Sequence, residues 1–286
     1  MSIKQLISNN YQQQGLSKQD SDILGIGAEQ LYNDFSHLLD SDYVKKFSSS
    51  YERQFDQLGE LGFVKTFSKQ GLKLTHPSNA GLDNFLPTEN AWVEYKNLQK
   101  GLGNTVNETD FKLRLTNGIS KKIFKINEDI EKGRISKNQS VILCFSYPLL
   151  VDSSMEFLKR NRIDDKSMPI EFSCLCGEPF KKNPKIDIFP RYFLDTKCEC
   201  SSEGSTRLCD TTYISAAIFS ETITNTVFED VIQDYTWDND LIIIHNPNAR
   251  NPIKHGLINS WLEYTVTKNR IKDGYYIKCK EKHETV

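Results

Sequence analysis

The run Ser140-Val141-Ile142-Leu143-Cys144-Phe145-Ser146-Tyr147 constrains the fold of this chain more than any other stretch. It is apolar almost throughout, rich in β-branched and aromatic residues, and stopped by Pro148. A strand that faced water on one side would alternate apolar and polar residues. This one does not, so both of its faces must be covered. A strand of that kind belongs in the middle of a sheet with helices packed on it, which is the α/β class. Two further apolar runs, 213–219 and 241–244, predict additional strands of the same sheet.

Helical periods supply the covering layers. Thr109-Asp110 offers an N-cap, and Leu115, Ile119, Ile123, Ile126 and Ile130 follow at steps of four, four, three and four. Arg114, Lys121, Lys122 and Lys125 fall off that stripe. Upstream, Ile23, Ile26, Leu31, Phe35 and Leu38 predict a helix over 23–39, weakened by Gly25 and Gly27. Asp40-Ser41-Asp42 then caps a second helix through Val44, Phe47, Tyr51, Phe55 and Leu58, ending near Gly59 or Gly62. Residues 63–67 and 72–74 predict a first strand with a turn at Gly71. Residues 1–20, polar and without a period, read as a frayed start.

Between these elements lies the stretch that carries chemistry. Residues 81–86 and 91–96 alternate around Pro87-Thr88-Glu89-Asn90, the pattern of a hairpin. Alternation puts Trp92, Glu94 and Lys96 on one face, and Asp83 can come opposite them in the right register. Two carboxylates suit a hard divalent cation such as Mg²⁺. Such a cation lowers the pKa of a bound water and offsets charge on a phosphate, while a neighbouring lysine can position that water.

The residues Asp83, Glu94 and Lys96 spell D-x(10)-E-x-K. The expected order around them is helix, three strands, helix, strand. Together these features resemble the PD-(D/E)XK nuclease superfamily over residues 43–147. Leu82 stands where that family commonly has proline, and Pro77 is too far back to replace it. The resemblance implies a restriction-endonuclease-like core: a central mixed sheet flanked by helices. It implies Mg²⁺ or Mn²⁺ held by Asp83 and Glu94, with Lys96 positioning the attacking water. It further implies an extra metal ligand from the first helix, for which Glu52 is the candidate, and phosphate contacts from Arg114 and Lys122.

Around that core the expected organisation is a helical or disordered segment over 1–42, the nuclease-like core over 43–150, an insertion over 151–210, and C-terminal strands and a helix over 211–286 that complete the core. The insertion holds Cys174-x-Cys176 and Cys198-x-Cys200, which could ligate a structural Zn²⁺, although C-x₂-C is the commoner spacing. His245 and Arg250, in the polar loop after 241–244, could meet substrate or simply shape the turn.

The net charge of −2 and pI of about 6.2 speak against a large non-specific surface for nucleic acid. They speak less against an acidic site that attracts phosphate through a metal. Nucleic acid, with DNA favoured over RNA, is the expected partner, and a homodimer is compatible. No apolar run suggests a membrane span or signal peptide, so the expected location is cytoplasmic, with signal-less export left open. Two other readings stand beside the nuclease. One is a catalytically inactive binding module on the same scaffold. The other makes the Cys-containing insertion a zinc-stapled recognition element.

Overall fold

The computed structural model describes residues 1–13, 15–77, 81–97, 108–146, 193, 196–220, 223–224, 226–228, 241–260, 262–268 and 275–279. At 51–52, 108–116, 262, 264, 266–268 and 275–279 the description is of the backbone alone. The protein is α/β, with a mixed sheet and flanking helices. Its contacts divide it into two compact units, one of Met1–Leu102, Leu143–Leu149 and Phe219–Asp240, the other of Gly103–Ile142, Leu150–Ile218 and Leu241–Val286. Among the described residues no helix is long and apolar enough to cross a membrane.

The first unit begins with a helical layer. α1 (Ile3–Gln13) replaces the expected frayed start: Ile3, Ile7 and Tyr11 step by four and are all buried. It packs on α2 (Lys18–Phe35), whose N-cap Ser17 accepts from the backbone N–H of Asp20. Gly25 sits at that contact, where a Cβ would lie 2.6 Å from the carbonyl oxygen of Lys4. The glycine that lowers helix propensity is what lets the two helices approach.

The single helix expected from residue 43 is two. α3 (Tyr43–Ser49) ends where Ser50 turns extended, and Ser50 Oγ then accepts from Arg53 N to start α4 (Tyr51–Lys69). Residues 63–67 are therefore helical, not the expected first strand. Phe63 and Phe67 step by four and join Leu58, Leu61 and Val64 in the core. Gly59 and Gly62 do not terminate α4 either. They are close-approach positions: a Cβ on Gly62 would lie 2.1 Å from the backbone oxygen of Ile223. Residues 72–74 form no strand either; the adjoining Thr75 makes one bridge with Phe85.

β1 (Asn84–Leu86) and β2 (Ala91–Asn97) form the predicted antiparallel hairpin. Its turn ends at Asn90, whose left-handed φ of 49° suits asparagine. In this unit the strand order continues from β2 to the C-terminal ends of β3 (Ser140–Ser146) and β6 (Ile214–Ser220). All seven residues of each of those two strands are buried, and Phe145 stacks on Phe219 at 5.3 Å.

The second unit is built on α5 (Glu108–Glu131), whose Ile119, Ile123, Ile126 and Ile130 are buried as their spacing predicts. The hairpin of β4 (Lys197–Ser202) and β5 (Ser205–Asp210) docks on it. Asn127 of α5 donates to Asp210 O and accepts from Asp210 N, acting as a strand partner. β3 and β6 continue in this unit to β7 (Ile242–His245), β8 (Leu262–Lys268) and β9 (Tyr275–Cys279). β7 and β8 are parallel, β8 and β9 antiparallel. The described residues of the C-terminal segment place strands, not a helix, after residue 261.

In a helix interior, glycine to alanine ordinarily gains about 1 kcal/mol. At position 62 the overpacking against Ile223 costs about 1–3 kcal/mol and outweighs it. Urea unfolding of Gly62→Ala is expected to show a lower midpoint than the wild type; an unchanged or higher midpoint would contradict the close approach.

Candidate functional site

Local pairing decides where the acids of the hairpin stand. The register pairs Asn84 with Val93, Phe85 with Trp92 and Leu86 with Ala91. Both backbone groups of Phe85 are bonded to Thr75, on the side away from β2. Phe85–Trp92 is therefore a non-hydrogen-bonded pair, and the two rings lie 4.9 Å apart. The ladder ends at Asn84–Val93, and Asp83 stands just before it. Within β2, Glu94 and Lys96 share one strand face.

Asp83 is held at the end of the ladder. The chain leaves the strand before Asn84, so no residue-82 carbonyl continues the ladder, and Asp83 Oδ2 accepts from Tyr95 N at 2.7 Å instead. Its carbonyl oxygen is met by His76 Nδ1 at 2.7 Å; a carbonyl only accepts, so Nδ1 carries the proton. Glu94 is 1 % exposed, while Lys96 is half-buried.

A third carboxyl joins from the helix. Glu60 of α4 is pushed well above the ordinary carboxyl range, first by desolvation, then by the charges of Asp83 and Asp40, with a smaller push from Glu94; Lys46 opposes them. Glu60 is half-buried. Lys46 is anchored by Asp40 and by Asp42 at 2.8 Å. The same field reaches Cys144, whose thiol is raised by burial and then by Asp83 and Glu94. The carboxylates within electrostatic reach of one another here are of the donor class that a hard dication such as Mg²⁺ takes.

The other expected residues are placed as follows. Glu52 lies on α4, eight residues before Glu60, with its side chain outside the described residues. Arg114 and Lys122 lie on α5 in the second unit; Lys122 is half-buried, and the side chain of Arg114 is outside the described residues. Arg250 is built into its own turn: Nη2 contacts Asp210 Oδ2 at 2.5 Å, Nε donates to Thr212 Oγ1, and the guanidinium lies 4.5 Å over Tyr213. Cys174 and Cys176 lie outside the described residues. Cys198 and Cys200 are on β4, and Cys209 faces Cys198 across the hairpin, a third thiol on the same face. Burial and hydrogen bonds among these thiols push Cys200 upward, the bond with Cys198 foremost.

His245 is buried, with Nε2 2.7 Å from Glu263 Oε1. Burial opposes the charge of Glu263, but the bonds from His245 and the Gly256 N–H outweigh it and lower its pKa. His255 completes this group. Sequence reasoning missed Glu60, Cys209, His255 and Glu263. For Glu60 a signal existed: it stands between two glycines in a helix that continues through both.

No family model, curated protein or solved structure matches the chain.

A carboxyl whose pKa is raised by folding contributes stability at low pH and loses it as pH climbs from the ordinary carboxyl value through the folded one. Glu60→Gln mimics the protonated form. Thermal melts are expected to find the variant more stable than wild type near about pH 8, with the gap closing toward about pH 4. A wild type more stable than Glu60→Gln at the higher pH would contradict the repulsion.

Proposed function

We propose that the protein is a metal-dependent nuclease of the PD-(D/E)XK kind, hydrolysing phosphodiester bonds of nucleic acid, with DNA as the favoured substrate. The observation that carries this reading is that the Asp83 carboxylate is bonded to the Tyr95 N–H, next to Glu94 in the strand, with Glu60 within reach of both charges. Carboxylates gathered in this way disfavour one another's ionisation. Burial of Glu94 sharpens the cost, and a shared dication would relieve it.

Asp83 and Glu94 would hold Mg²⁺ or Mn²⁺, and Glu60 is the acid we assign to the supporting position in place of Glu52. When bound, the metal would supply an acidified water and neutralise phosphate charge. Tyr95 N–H fixes one oxygen of Asp83. Lys96 shares a strand face with Glu94 and can orient the attacking water and stabilise charge on the phosphate. His76 and Lys46 keep the flank of the site cationic or hydrogen-bonding, which helps draw in a phosphate.

Incubation with single- and double-stranded DNA and RNA, with and without Mn²⁺, tests the reading. Wild type is expected to cleave only with metal. Asp83→Ala and Lys96→Ala should lose roughly 10²-fold or more, and Glu60→Gln a smaller factor. Full cleavage by Asp83→Ala would refute it. Metal-dependent binding of nucleic acid without cleavage would favour the inactive binding module.

A further inference from the structure

The second unit gathers three side chains of a different chemistry. His245 ends β7, His255 lies in the following loop, and Glu263 lies on β8. The parallel register pairs Ile243 with Glu263 and His245 with Thr265, so His245, Glu263 and Thr265 share one face. One ligand-type atom from each of His245, His255 and Glu263 lies within 4.8 Å of the others. We propose that these three residues bind a borderline transition-metal dication such as Zn²⁺, through two imidazole nitrogens and one carboxylate oxygen.

Four features favour a metal over a plain His–Glu pair. First, the donor atoms are spaced for it. Two ligands about 2.1 Å from a tetrahedral ion stand about 3.4 Å apart. Glu263 Oε1 is 2.7 Å from His245 Nε2 and 3.7 Å from His255 Nδ1, so shifts below about 1 Å suffice. Second, the outer partners orient the ligands. Thr265 Oγ1 meets His255 Nε2 at 3.0 Å, which leaves Nδ1 turned toward Glu263. The Gly256 N–H lies 2.9 and 3.1 Å from the two oxygens of Glu263, at a turn whose φ of +75° suits glycine.

Third, the two imidazole rings stack at 3.9 Å. Both rings lie beside the one carboxylate of Glu263. Fourth, exposure is graded. The side chains of His245, Glu263 and His255 are 5, 15 and 31 % exposed, which gives an entry path on the His255 side. Three protein ligands beside an open edge leave a fourth position for water or an exogenous ligand. Imidazole nitrogen selects for zinc-like ions over Mg²⁺, so this site and the acidic one differ in metal preference.

The test uses the full chain, stripped of metal by a chelator and titrated with Zn²⁺. Imidazole ¹H–¹⁵N spectra report the ligands directly, and competition with a chromophoric zinc indicator reports affinity. One equivalent of Zn²⁺ is expected to move His245 Nε2 and His255 Nδ1 to metal-bound positions. Exposed His255→Ala and near-isosteric Glu263→Gln should each weaken that binding by roughly tenfold or more. Zinc bound with neither imidazole perturbed, as thiol ligation alone would give, overturns the proposal. So does unchanged affinity in both variants. Neither outcome depends on Asp83 or Glu94, so the nuclease reading stands or falls separately.

Discussion

Acids gathered around the first hairpin set the terms for the first unit. Asp83 is bonded to the backbone N–H of Tyr95, the residue after Glu94, and Glu60 of α4 feels the charge of both acids. A fold selected for stability alone would set opposite charges beside such acids. Tyr95 ties the arrangement to the scaffold. Its N–H holds Asp83, its ring stacks on Phe63 of α4 at 5.6 Å, and its hydroxyl donates to Asn84, which in turn donates to Leu38 O. The residue that aims the carboxylate is thus the one that fixes the hairpin on the helical layer. α4 can lie close enough to contribute Glu60 because Gly59 and Gly62 remove the side chains that would hold it off Ser146 and Ile223.

How much of this was legible depended on how local the signal was. The strand at 140–146, the helix around Ile119–Ile130 and the hairpin all declare themselves within a window of one element, and the structure has them. The helix at 63–67 did not, because a five-residue apolar run fits either period, and packing of Phe63 and Phe67 made the choice. α1 was hidden by its Asn and Gln content, which masked the stripe of Ile3, Ile7 and Tyr11. Glycines at 25, 59 and 62 read as helix breakers in sequence and act as contact points in space.

The same contrast holds for the candidate sites. Asp83, Glu94 and Lys96 fall in or beside one hairpin, and strand alternation alone relates the last two. Glu60 requires knowing that α4 runs past two glycines. His245, His255 and Glu263 are joined by the pairing of β7 with β8 and by a loop turn, neither of which leaves a spacing motif. Arg250 shows the converse: a residue in a binding-type loop whose guanidinium is engaged by Asp210, Thr212 and Tyr213. The two units therefore offer different donor chemistry, carboxylate oxygen in one and imidazole with carboxylate in the other.

The central claim is that Asp83 and Glu94 share a cation. Crystals soaked in Mn²⁺ and measured for anomalous scattering address it directly. The account predicts a peak about 2.0–2.6 Å from carboxylate oxygens of both Asp83 and Glu94. A well-ordered hairpin with no anomalous density between those two side chains, at a Mn²⁺ concentration that fills other sites, would contradict it.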